Sequence, residues 1–195
     1  MIQAETRRRG LSTVALIFLA CLIPFVASYL VYYLWPPRSR MNYGTLIDPR
    51  PLPATPLVRS DGSPFLFSEL KGRWVMLQID SSACAEACRR KLYQMRQLRL
   101  TQGKDMGRIE RVWLIPDHGP LDPALLRDYE GTHLARAAAA MVSGFPAESD
   151  PADHVYLIDP LGTLMLRFPK DADPSRMKKD LERMLKLSWR SSQKS

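Results

Sequence analysis

The 195-residue chain carries 28 Lys and Arg against 20 Asp and Glu, a formal charge of +8, with 46% apolar residues and three cysteines. That length allows one domain plus an appendage, and the apolar fraction is that of an ordinary globular protein. The basic residues are spread out with no nucleic-acid motif beside them, which argues for a solvated basic surface and against a nucleic-acid partner.

The first element in chain order is a run without charge from Leu11 to Trp35. It is long enough to cross the roughly 30 Å hydrocarbon core as one helix. Arg7, Arg8 and Arg9 precede it and favour a cytoplasmic N-terminus. Tyr29, Tyr32, Tyr33 and Trp35 cluster at the far end, as an interfacial aromatic belt would, and Pro24 can kink the span. A cleaved signal peptide would have a shorter apolar region, about 7–15 residues. A lipoprotein would use Cys21, but fourteen more uncharged residues follow it. The expectation is a cytoplasmic N-terminus at 1–10, an uncleaved single-pass anchor at 11–35 in a bacterial inner membrane, and the remainder in the periplasm. There, an unprotected thiol pair is oxidised unless a reductant or a metal holds it.

Residues 36–57 hold six prolines and read as an extended tether. Arg59 to Pro64 is a turn signal that predicts a hairpin, and Phe67 to Gly72 reads as a single helical turn. Trp74 to Asp80 is almost wholly apolar, as a central strand covered on both faces would be. A helix is expected from about Glu86 to Gln102, then a buried strand over Arg111–Pro116. Asp122-Pro123 opens a further helix, expected to extend as far as Met141. His154–Asp159 and Thr163–Phe168 flank a tight turn and form a hairpin. Asp173-Pro174 starts an amphipathic last helix, and 189–195 is a polar tail. The order β-α-β-α-β-β-α after an N-terminal hairpin predicts a thioredoxin-like α/β sandwich over 58–188.

Cys84 and Cys88 stand between the first long strand and its helix, where such a fold places reactive sulfurs. Two intervening residues would indicate a redox dithiol. Three, with a distant histidine, point to a soft-metal site of two thiolates and an imidazole. In a helix the two would lie about 6 Å apart along the axis, near the upper limit for a disulfide. The alternative is a structural disulfide or two buried thiols; a disulfide here closes so small a loop that it adds little stability. Arg89, Arg90 and Lys91 and a helix N-terminus favour the thiolate form. Of the three histidines, His133 reads as a surface residue of a helix. His118 lies near the active end of the sheet, and His154 begins the third strand.

The lead-in Gly62–Gly72, the Cys84-x-x-x-Cys88 motif and the segment Asp153-His154 with Tyr156–Gly162 together resemble the Sco/SenC family of copper proteins serving cytochrome c oxidase assembly. The resemblance spans most of 57–188. Ala85 and Arg89 stand where that family usually has prolines. The resemblance implies that Cys84, Cys88 and His154 bind copper, as Cu(I) or Cu(II), for transfer to a cytochrome c oxidase subunit or another copper chaperone, or that the thiols reduce the cysteines of an oxidase copper site. Two other readings stay open: a metal-free thiol-disulfide oxidoreductase using Cys84 and Cys88, and a non-catalytic oxidase assembly factor.

Overall fold

The structure is a computed structural model that describes residues 2–34 and 42–192, with side chains placed for 16–31, 33, 34 and 42–188. It divides into two units, 1–41 and 42–195. The described residues of the first form one 33-residue helix, α1 (Ile2–Leu34), with Pro24 inside it. Its described apolar side chains, Leu16 to Leu34, are exposed within this unit. Among the described residues no helix is long and apolar enough to cross a membrane. The expected anchor at 11–35 takes in side chains at 11–15 and 32 that are not described. Residues 1, 35–41 and 193–195, with their share of the N-terminal segment, anchor, tether and tail, lie outside the described residues.

The second unit is an eight-stranded mixed sheet in the spatial order β1 (Thr45–Pro51), β8 (Thr163–Arg167), β7 (Val155–Ile158), β4 (Trp74–Ile79), β5 (Ile109–Ile115), β6 (Thr132–Arg136), β2 (Leu57–Arg59) and β3 (Pro64–Phe65). At its centre is β4 (Trp74–Ile79), buried at every position. On one side it pairs in parallel with β5 (Ile109–Ile115), which pairs in parallel with β6 (Thr132–Arg136). On the other side it pairs antiparallel with β7 (Val155–Ile158), which turns back through the 159–162 turn into β8 (Thr163–Arg167). β2 (Leu57–Arg59) and β3 (Pro64–Phe65) form the expected N-terminal hairpin on one edge.

Residues of β4 alternate between two hydrophobic clusters, one on each face. Trp74 and Met76 face α2 (Glu86–Leu100) and α5 (Pro174–Ser192), while Val75, Leu77 and Ile79 belong to the other cluster. α2 contributes Leu92, Met95 and Leu98 at helical spacing, and α5 contributes Met177, Leu181, Met184 and Leu185. Both clusters and all eight strands lie within 42–192, so this unit carries what it needs to fold without α1.

Four expectations are corrected. The tether is shorter, because Thr45–Pro51 forms β1 and pairs antiparallel with β8. Its prolines are tolerated because β1 is an edge strand, and its ladder is irregular between Leu46 and Arg50. The helix opened by Asp122 stops at Asp128 (α3, Pro123–Asp128), where the expectation ran to Met141. Gly131, at φ 77°, turns the chain, and β6 follows before the one-turn α4 (Ala139–Val142). Leu134 packs on the first cluster and Ala135 on the second, which is the alternation of a strand. His133 is therefore a strand residue, stacked on Phe65 at 5.9 Å and 3.4 Å from Glu110. Finally, α5 continues into the expected tail, to Ser192.

Candidate functional site

The loop from β4 into α2 places both cysteines at the carboxyl end of the central strand. Cys84 and Cys88 are joined in a disulfide with a Cα–Cα distance of 5.1 Å. Helical spacing alone would strain that distance, but Cys84 precedes α2 and takes a left-handed φ of 40°, which draws it toward Cys88. Both residues are only 1% exposed, packed among Met76, Leu92 and Val155.

Polar contacts fix the loop. Ser82 donates its N–H to the Asp117 carboxylate at 2.9 Å, and Gly119 N–H reaches the same carboxylate at 3.0 Å. The Ser82 hydroxyl is the largest influence holding the Asp117 carboxyl below its usual range. Arg136 donates to the carbonyls of Asp117 and Gly119. A β-carbon on Gly119 would come within 2.1 Å of Ser82 Oγ, so a larger residue here would have to turn the Ser82 hydroxyl away. His118 lies in this segment and helps line a cavity of about 760 Å³, with Arg50, Arg136 and Phe145.

Beneath the disulfide, Gln78 Nε2 donates to Cys88 Sγ at 3.4 Å. Beside it, the buried Lys91 of α2 pairs with Asp80 at 2.8 Å and donates to the carbonyls of Ile79 and Ala152. Lys91 thus links the cysteine-bearing helix to the segment that leads into His154.

His154 sits at the same end of the sheet, because the antiparallel register puts Val155 opposite Gln78. It is one residue out of phase with the cysteine face. Val155 points into the cluster that holds the sulfurs, whereas His154 meets Tyr156 edge-on, 6.1 Å between ring centroids, on the other face. The imidazole is 4% exposed. Its Nδ1–H donates to the Phe168 carbonyl at 2.9 Å, which leaves Nε2 as a lone pair with no partner among the described residues. Burial, the largest cause, pushes its pKa below the usual imidazole value, against the opposing effect of the Phe168 bond. Asp153 pairs with Lys170 at 2.9 Å.

The structure therefore unites Cys84 and Cys88 and keeps His154 on the opposite side of the sheet. Among the described residues no three His, Cys, Asp or Glu side chains converge on a metal position. The opened thiol pair has the soft-donor chemistry Cu(I) prefers, but the three-ligand set is not assembled. Sequence reasoning passed over Gln78 and Asp80, and it read Lys91 as favouring the thiolate, where the structure pairs it with Asp80. The signal for Gln78 was present: a lone amide inside an otherwise apolar strand.

A solution structure of a putative protein disulfide isomerase from Bacteroides thetaiotaomicron is similar at 19% identity and a TM-score of 0.56, covering 73% of this chain and 92% of that one. Yeast Sco1 with copper bound is similar at 17% identity and 0.57, covering 70% and 94%. An SCO1/SenC family lipoprotein from Bacillus anthracis matches at 17% and 0.54, covering 72% and 99%. At these identities the likeness establishes the thioredoxin-like fold. No curated protein matches the chain. Residues 74–188, more than half of the chain, match one family along the whole path from β4 to α5, and the chain belongs to that family: the transmembrane-like, thioredoxin-like, C-terminal domain.

Proposed function

We propose that this chain is a membrane-anchored thiol-disulfide exchange domain in the bacterial periplasm, working through Cys84 and Cys88. The observation that carries this reading is the disulfide itself, closed at the carboxyl end of the central strand beside a buried amide and a buried ion pair. Its clients are cysteine pairs of extracytoplasmic proteins, and the resemblance to Sco/SenC proteins makes the copper-site cysteines of a cytochrome c oxidase the first to test. The anchor is the 11–35 segment. Residues 42–195 should be equilibrated with glutathione redox buffers, and the thiols counted by alkylation and mass spectrometry. A reversible two-electron transition, lost in Cys84→Ser, is the expected result. A disulfide that stays closed across all buffers refutes the reading.

A second reading, copper transfer, draws on His154. Its hydrogen-bonded Nδ1 and unpartnered Nε2 are the arrangement a metal-binding imidazole uses. Reaching sulfurs on the other face would require the start of β7 to rotate. Cys84, Cys88 and His154 would then hold Cu(I) as cargo. Reduced domain should be titrated anaerobically with Cu(I), beside His154→Ala and Cys84→Ser. One-to-one binding lost in both supports transfer. Binding that is indifferent to His154 removes the imidazole from the site.

A further inference from the structure

Gln78 is wholly buried near the carboxyl end of β4, a strand buried at every position, and its amide is aimed at the disulfide. Only one half of that amide is served. Nε2 donates to Cys88 Sγ, a weak acceptor, while Oε1 is buried with no hydrogen-bond partner among the described residues. An unpaired buried carbonyl has given up its hydration for nothing. Replacing it with a hydrocarbon side chain would cost the oxidised protein little.

Opening the disulfide changes this balance. Two thiols of an external dithiol supply two electrons and two protons. The Sγ–Sγ bond breaks, the protons end on Cys84 and Cys88, and the donor closes its own disulfide. Cys88 then carries an S–H, which the disulfide lacked, within reach of an amide already in contact with its sulfur. A half-turn of the terminal amide lets Oε1 accept it, exchanging the weak N–H···S contact for an S–H···O bond while Nε2 takes the place that Oε1 left. The orphan acceptor gains a partner only in the reduced protein.

We infer that Gln78 is a positioning residue that biases the Cys84–Cys88 couple toward the dithiol. This rests on the thiol-disulfide reading above. The domain 42–195 and its Gln78→Leu and Gln78→Met variants should be equilibrated with glutathione at one pH. Folding of each is checked by circular dichroism, and the methionine variant carries the test if leucine does not fold. The expected result is an equilibrium constant for reduction about tenfold lower in the variants, equivalent to about 30 mV for a two-electron couple. Constants within about twofold of the parent overturn the inference and leave the exchange function standing. A parent disulfide that never opens overturns both.

Discussion

Replacing Lys91 with methionine tests whether the pair beneath the cysteine helix holds the site together. The substitution keeps the length and apolar stem and removes the ammonium. Asp80 would then keep its charge with no cation at 2.8 Å, and the Ile79 and Ala152 carbonyls would lose their shared donor. Breaking a fully buried pair from one side costs about 3–5 kcal/mol. Here the side chains are 11% and 19% exposed, so water recovers part of that, and about 2–3 kcal/mol is expected. For a domain of this size that lowers Tm by about 5–10 °C. Urea unfolding of the domain 42–195, followed by circular dichroism, measures it. The double variant Lys91→Met/Asp80→Asn should recover at least about 1 kcal/mol against the sum of the two single changes, because no uncompensated charge remains. A single-variant cost under about 0.5 kcal/mol, or strictly additive costs, would show that the pair contributes no more than a surface contact.

Other outcomes follow from particular groups. Reducing the disulfide releases a loop of about five residues, so chain entropy predicts a loss of about 2 kcal/mol, read as a lower urea midpoint in dithiothreitol. His154 is buried with a lowered pKa, so below about pH 6.5 the unfolded chain binds the proton more readily than the folded one. Its contribution is therefore complete above that value and is lost as pH falls toward the folded-state pKa. A His154→Gln domain should show a flatter stability profile between pH 7 and 5, and identical profiles would refute the assignment. Arg111 is buried, with Nε and Nη1 unpartnered among the described residues, and it is bonded through Nη2 to the Glu130 carbonyl. Arg111→Met should thus cost less than about 1 kcal/mol, or stabilise, in the same unfolding assay.

Strands β4, β5 and β7 were legible because each is a run of consecutive buried residues, and α2 and α5 because their apolar residues recur at helical spacing. β6 was not. Its pattern is short, it follows a well-capped helix start at Asp122, and Thr132 and His133 gave no apolar alternation strong enough to override that signal. β1 was hidden for a different reason: its partner β8 lies more than 110 residues away, and its prolines read as a tether. The site was half legible. The position of Cys84 and Cys88 followed from the strand-to-helix order, but a spacing of three does not distinguish a metal pair from a disulfide once Cys84 adopts a left-handed backbone. The facing of His154 depends on whether Val155 or its neighbour stands opposite Gln78, a one-residue question of register.

The depth of the two sulfurs bears on rates as well as equilibria. At 1% exposure, neither sulfur is open to in-line attack by an incoming thiolate in this conformation, so attack requires the 80–85 loop to move first. With enough reductant, turnover should then saturate at the loop's own opening frequency. A small phosphine and a bulky protein dithiol would reach the same plateau. Loosening the Ser82–Asp117 clamp, by Asp117→Ala, would raise that plateau without altering the chemistry at sulfur.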